Sequence, residues 1–117
     1  MTDSGFHAVV KQGENTIEQQ VDKLLISIGR KANTEQLGLG NTDIETSNGF
    51  IKVNEFMQTT ERHIYAIGDV TGGQQLAHAA VRQAITAVEH MAGLAPIPYD
   101  SMMIPRCIYT RTEVASF

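Results

Sequence analysis

One cysteine, Cys107, is all the sequence offers. A lone thiol excludes an intrachain disulfide and a zinc site built on several thiolates. Charge of one sign is scarce as well. Nine Lys and Arg against thirteen Asp and Glu leave a net charge of −4, with both signs mixed along the chain. That balance gives no reason to expect nucleic acid or a membrane as partner. No apolar run approaches the roughly 20 residues needed to cross a bilayer. The opening MTDSG lacks the basic start and apolar stretch of a signal peptide, so the cytoplasm is the expected location. Repeats and low-complexity segments are absent. At 117 residues, the chain has room for one modest domain but not two complete ones.

What is present reads as short strands and one long helix. Residues 6–11 and 16–20 alternate weakly around the turn signal Gly13-Glu14-Asn15, and residues 24–28 (LLISI) form a nearly continuous apolar run ending on Gly29. Three such runs predict a small antiparallel meander. Residues 34–39 suit a single helical turn. Residues 43–46 and 50–53 are short strand candidates around Ser47-Asn48-Gly49, and residues 106–110 are another. From Leu76 onward, Ala77, Ala80, Val81, Ala84, Val88 and Met91 recur at helical spacing. This predicts a helix whose apolar stripe faces the core, with Arg82, Gln83, Thr86, Glu89 and His90 mostly on the other side. Gly93 suits its C-terminal cap, and Pro96 prevents a restart.

Residues 63–70, HIYAIGDV, look like a buried strand that stops on Gly68-Asp69 and runs into the loose Thr71-Gly72-Gly73. Strand, Gly-Asp, loop and helix in that order form a ligand-site layout. Glycine lets a ligand approach the backbone. A carboxylate at a strand end can accept hydrogen bonds from sugar or ribitol hydroxyls. The following helix presents unpaired N–H groups and partial positive charge. On spacing alone, Asp69 could equally start an ordinary turn that Gly72-Gly73 closes, since Gly-Asp pairs are common turn formers.

Several segments resemble the FAD-dependent pyridine nucleotide–disulfide oxidoreductases. Thr59 with Ile64-Tyr65-Ala66-Ile67-Gly68-Asp69 resembles that family's second flavin-binding motif. LLISIGRKAN (residues 24–33) is similar to the handover from the NAD domain to the central domain. LAHAA (residues 76–80) is similar to the start of the flavin-facing helix, and IPRCIYTRTEVAS (residues 104–116) to the opening of the dimerisation domain. Within the family, Leu76-Ala77-His78 and the Pro105, Tyr109-Thr110, Glu113 pattern are most similar to the dihydrolipoamide dehydrogenase branch. The family usually has proline where this chain has Ala32 and Thr112, a departure that bears on local stiffness.

The resemblance implies an α/β fold. The chain would be an α+β fragment, with short strands plus one long helix, from an FAD- and NAD-binding fold with two Rossmann domains. It implies residues 1–31 as the end of the NAD-binding domain, 32–97 as the FAD-contacting central segment and 98–117 as the start of the dimerisation domain. Cofactor contacts are implied at Gly29, Gly68, Asp69, Leu76, Ala77 and His78. Asp69 would bind a ribitol hydroxyl, and the amides around Leu76, Ala77 and His78 would face the N1–C2=O edge of the flavin. FAD and NAD are expected in the parent enzyme, which would serve a 2-oxo acid dehydrogenase complex.

A complete enzyme of that family needs parts this sequence lacks. Gly38-Leu39-Gly40 is no pyrophosphate turn, because Asp43 stands where the third glycine should be. The redox cysteine pair is missing, Cys107 reads as a buried or half-buried structural thiol, and the family's His–Glu pair would fall beyond Phe117. No catalytic or metal residue is therefore expected. His7, His63 and His90 read as surface or satisfied histidines. The chain is expected to be an internal piece of a longer protein, inactive alone and homo-oligomeric. A competing reading makes it a non-catalytic, self-associating chain with no cofactor.

Overall fold

The computed structural model describes residues 5–117. They fall into two compact units, the first reaching Arg30 and the second spanning Lys31–Phe117. In the first, β1 (Phe6–Gln12) and β2 (Asn15–Val21) form an antiparallel hairpin in register from Phe6↔Val21 to Gln12↔Asn15. The two residues left between them, Gly13 and Glu14, make a short hairpin loop. His7 Nε2 lies 3.3 Å from Glu18 Oε2 on the open face of this ribbon.

The third strand expected over residues 24–28 does not form; the run is irregular, with Leu25 89% and Ile28 94% exposed. A strand needs a ladder partner for its backbone groups, and β1 pairs with β2 alone. The meander is therefore a two-stranded ribbon.

The second unit begins with irregular chain. Residues 35–38 are turn, followed by a short 3-10 helix at Leu39–Asn41, where a single helical turn was expected slightly earlier. Next comes a minimal hairpin of β3 (Thr46–Ser47) and β4 (Phe50–Ile51), with Asn48-Gly49 as its two-residue turn. The Asn54 carboxamide then organises a tight loop. Its Oδ1 accepts from Phe56 N–H at 2.9 Å and from Gln58 N–H at 3.0 Å. That loop holds buried Met57 at φ 63°, an uncommon conformation for a non-glycine residue.

Residues 64–67 are not the continuous buried strand expected. They make one bridge, Tyr65 to Gln58, flanked by Thr59 N–H to Ile64 O at 3.0 Å and Ala66 N–H to Met57 O at 3.1 Å. Ala66 is buried, whereas Ile67 is exposed. Pairing on one side only limits both the length of the ladder and its burial.

The long helix α1 is Ala77–Met91, 15 residues. Its C-terminal end matches the expected stop: Gly93 N–H bonds to His90 O at 3.1 Å and Leu94 N–H to Glu89 O at 3.0 Å, the paired bonds of a Schellman ending. Its orientation reverses the expectation. The buried residues are Ala79, Gln83, Thr86 and Ala87, while Val81, Ile85, Val88 and Met91 are 60%, 44%, 60% and 56% exposed. Small side chains on the inward face let backbone approach closely. The two polar ones are satisfied there, Gln83 by Gly68 N–H and Thr86 by Ile97 O at 3.4 Å.

The chain ends in a second ribbon, β5 (Arg106–Ile108) and β6 (Val114–Ser116), antiparallel in register. Both strands are exposed throughout. Cys107, opposite Ala115, is therefore an exposed thiol rather than the buried one expected. Of the two positions where proline was expected, Ala32 is buried, and Thr112 lies in the β5–β6 turn, its carbonyl accepting Thr110 Oγ1 at 2.6 Å.

Candidate functional site

The Gly-Asp motif folds as a 3-10 turn, Gly68–Thr71, packed against both α1 and β4. Thr59 anchors the approach to it. Its hydroxyl donates toward the carbonyls of Glu61 and Ile64, both at 3.0 Å, and accepts from Glu61 N–H at 3.1 Å. Those bonds fix the chain just before Tyr65, whose hydroxyl shares a 2.7 Å hydrogen bond with His90 Nδ1. The His90 ring stacks on Phe56 with centroids 4.7 Å apart. The C-terminal end of α1 is thus tied to the start of the motif by an aromatic cluster. His90 is one of the satisfied histidines expected; His63 is exposed.

Gly68 itself sits at φ 75°, and a Cβ built there would lie 3.6 Å from the Ala80 Cβ. The left-handed backbone favours glycine there, while the distance to Ala80 is an ordinary contact. Both polar groups of the residue are engaged. Gly68 N–H donates to Gln83 Oε1 at 2.7 Å, and Gly68 O accepts Thr71 Oγ1 at 2.9 Å. The next residue, Asp69, has an exposed side chain, while its backbone carbonyl accepts Gly72 N–H at 3.1 Å. The turn is rigid at its backbone and offers a carboxylate at its surface.

Five residues after Thr71, the chain enters α1 through Leu76, which has extended backbone and no side-chain cap. Leu76 N–H donates to Gln74 O at 2.9 Å. Of the three amides expected to face a ligand, this one is committed to a tight turn; the Ala77 and His78 amides remain, on exposed residues without a capping side chain. An uncapped helix start favours an electron-rich acceptor.

His78 has a further role. Its Nε2 lies 2.8 Å from Pro105 O, and a carbonyl only accepts, so that nitrogen donates. This bond pins the first turn of α1 to the segment before β5. Between them lies a groove of about 660 Å³, lined by His78, Arg82, Ile97, Asp100, Ile104 and Pro105 among others.

Gly68, Asp69, Ala77 and His78 thus share one region of the second unit. Gly29 belongs to the first unit, at φ 123° with nothing within 4 Å of an added Cβ. The Gly38-Leu39-Gly40 stretch is a 3-10 helix start rather than a phosphate turn. Among the described residues no cluster of His, Cys, Asp or Glu could hold a metal ion, and no helix is long and apolar enough to cross a membrane. The Lys31 ammonium lowers the Glu35 pKa through a hydrogen bond and its charge, and takes no part in these contacts. The sequence alone missed Gln83. The available signal was its place on one helix face with the small residues Ala79, Thr86 and Ala87.

The chain is similar to known proteins over most of its length. Dihydrolipoyl dehydrogenase of Bacillus subtilis (strain 168) is 58% identical over 106 residues, 91% of this chain and 22% of that protein. The mitochondrial dihydrolipoyl dehydrogenase of Caenorhabditis elegans is 45% identical over 97 residues, 82% of this chain and 19% of its own length. The solved structure of LpdA from Mycobacterium tuberculosis matches with a TM-score of 0.74 at 28% identity, over 92% of this chain and 25% of that one. RclA from Escherichia coli, an HOCl-induced flavoprotein disulfide reductase solved as a Cu(II) complex, matches with a TM-score of 0.75 at 25% identity, over 93% and 25% of the two chains. The chain spans about a quarter or less of the length of these relatives. The short strands and single long helix are the α/β piece of that fold anticipated from the sequence. The family model for pyridine nucleotide-disulphide oxidoreductases matches residues 2–84, well over half of the sequence, and the chain belongs to that family.

Proposed function

We propose that the chain is a segment of a dihydrolipoyl dehydrogenase-like flavoenzyme, which passes electrons from dihydrolipoamide through a redox disulfide and FAD to NAD. The segment supplies the second set of FAD contacts. The observation that carries the reading is the Gly68–Thr71 turn bound to α1, with an exposed carboxylate at Asp69 and an uncapped helix start at Ala77 and His78. These residues fit a flavin. Gly68 admits close approach, Asp69 can accept from ribitol hydroxyls, and the α1 amides can face the carbonyl edge of the ring. When bound, FAD supplies the two-electron step between thiols and nicotinamide. The chain's own part is to hold hydroxyls at Asp69 and to place partial positive charge where negative charge accumulates on reduction.

The same reading assigns residues 1–31 to the end of an NAD-binding domain with Gly29 near the cofactor, 32–97 to the FAD-contacting segment and 98–117 to the start of a dimerisation domain. It places the parent in the cytoplasm, serving a 2-oxo acid dehydrogenase complex. The dihydrolipoyl dehydrogenases among the relatives support the flavoenzyme parent from which these assignments follow.

Flavin titration of the purified chain, followed by quenching of FAD fluorescence, tests the cofactor role. Asp69→Ala is expected to weaken binding by about 1.5–3 kcal/mol, the range for a hydrogen bond to a charged group. Asp43→Ala should leave binding unchanged, since Asp43 contacts Thr60 and Glu61 through its backbone. Equal losses from both substitutions would count against Asp69 as a ligand.

The exposed stripe of α1 favours a second reading, self-association without cofactor. Packed antiparallel on a second copy with the two-fold between Ala84 and Ile85, Val81 would meet Val88 and Ile85 would meet Ala84, so the apolar contact is self-complementary. Light scattering at low micromolar concentration should then give at least about twice the monomer mass, and Val88→Glu should return it to monomer. A wild-type monomer under those conditions ends this reading.

A further inference from the structure

We infer that Gln83 is a positioning residue that sets the Gly68–Thr71 turn, and through it the direction of Asp69. The inference rests on the flavin reading only for its functional consequence; the structural part stands on the contacts. Gln83 is 4% exposed, and its Oε1 accepts Gly68 N–H at 2.7 Å. Gly68 opens the turn, and its carbonyl is held in the same residue by Thr71 Oγ1 at 2.9 Å. With both of its polar groups engaged, the Gly68 backbone has one orientation, and the Cα–Cβ direction of Asp69 follows from it. Removing the Gln83 acceptor leaves a half-buried N–H without its partner. The turn can then rotate to find water, which would swing the Asp69 carboxylate away from its place.

A neutral amide suits this position. A carboxylate there would offer a stronger acceptor, but burial would penalise its charge. It would also put negative charge behind the part of the turn where Asp69 already carries one. Glutamine supplies the oxygen without the charge. The interaction reaches from the middle of α1 back to the motif, fifteen residues earlier in the sequence, so the helix serves as the template for the turn.

Amide hydrogen exchange and flavin titration together test the assignment. In the wild-type chain, the Gly68 amide is expected to exchange slowly. Gln83→Met keeps the length of the side chain and removes the acceptor. It should speed Gly68 exchange about tenfold and weaken FAD binding by a similar factor. Gln83→Glu keeps an acceptor oxygen and should restore protection. In that variant the Gly68 amide proton shift should also follow the titration of the introduced carboxyl, which reports the hydrogen bond itself, while the loss of FAD binding in Gln83→Met reads its effect on Asp69. Thr86→Val, which removes the other buried polar contact of α1, should leave Gly68 protection in place. The inference is overturned if the wild-type Gly68 amide is unprotected, if Gln83→Met leaves it protected, or if its shift ignores the introduced carboxyl. Failure of the wild type to take up FAD would instead count against cofactor binding by this chain alone, and the exchange and titration results would still decide the role of Gln83. Should Gln83→Met fail to fold, the wild-type exchange and the Gln83→Glu titration decide it alone.

Discussion

Supplied with FAD, dihydrolipoamide and NAD, the 117-residue chain is expected to make no NADH beyond what free FAD produces. Oxidising dihydrolipoamide closes its two thiols into a ring disulfide and releases two electrons and two protons. In a disulfide enzyme those electrons open a protein disulfide into two thiols through a mixed-disulfide intermediate. Both steps need two sulfurs in the acceptor, and the chain has Cys107 alone. That thiol lies exposed on β5, facing Ala115 across the ribbon. It has no second thiol in the chain with which to form the disulfide that would accept the electrons. NADH formation that scales with chain concentration would overturn this expectation, because electrons would then be reaching NAD by a route that the sequence does not contain.

The second large effect is expected at Gly72. This residue closes the Gly68–Thr71 turn at φ 77°, ψ −149°, a region essentially restricted to glycine, where other residues cost about 1–3 kcal/mol. A Cβ there would also lie 3.2 Å from Phe50 Cγ. The ring belongs to β4, so relief requires the small hairpin to shift. Gly72→Val adds two further methyl groups to that contact and should destabilise the second unit by about 2–4 kcal/mol. Gly40→Ala is the control, since Gly40 has no positive φ and nothing within 4 Å of an added Cβ; its effect should stay within about 0.5 kcal/mol. Urea unfolding followed by helical circular dichroism reports the second unit through α1. Equal midpoints for the two variants would show that the turn adapts without strain.

How much of this was legible in the sequence differs from element to element. The helix was legible at both ends, because the apolar recurrence starts at Leu76 and Gly93 supplies a recognised ending. Its inward face was not. Val81, Val88 and Met91 form the more hydrophobic stripe, yet Ala79, Gln83, Thr86 and Ala87 are the buried set. Hydrophobic periodicity assumes that burial is decided by transfer from water. Here it follows closeness of approach and backbone partners at Gly68 and Ile97, which lie elsewhere in the sequence. The same limit explains residues 24–28 and 64–67. Apolar composition announces a strand, but a strand forms only where a neighbour pairs with it. Cys107 was misjudged for a related reason, since nothing in the tail reveals that both faces of the β5–β6 ribbon stay open. In the candidate site, local order marked Gly68 and Asp69, and the resemblance added Leu76, Ala77 and His78; what neither revealed is that the Leu76 amide, the Gly68 amide and the His78 ring are engaged by Gln74, Gln83 and Pro105.

The buried set has a thermal consequence. Among the described residues the buried apolar side chains are Ala32, Ile51, Met57, Ala66, Ala79, Ala87 and Ile104, four of them alanine. Unfolding such an interior exposes little hydrocarbon, while Thr59, Gln83 and Thr86 add polar surface. Apolar exposure raises the heat capacity of unfolding and polar exposure lowers it. The heat-capacity increment of the second unit should therefore fall below the usual value of about 12–15 cal/mol/K per residue. Its enthalpy of unfolding then changes slowly with temperature, and its stability curve is broad and shallow.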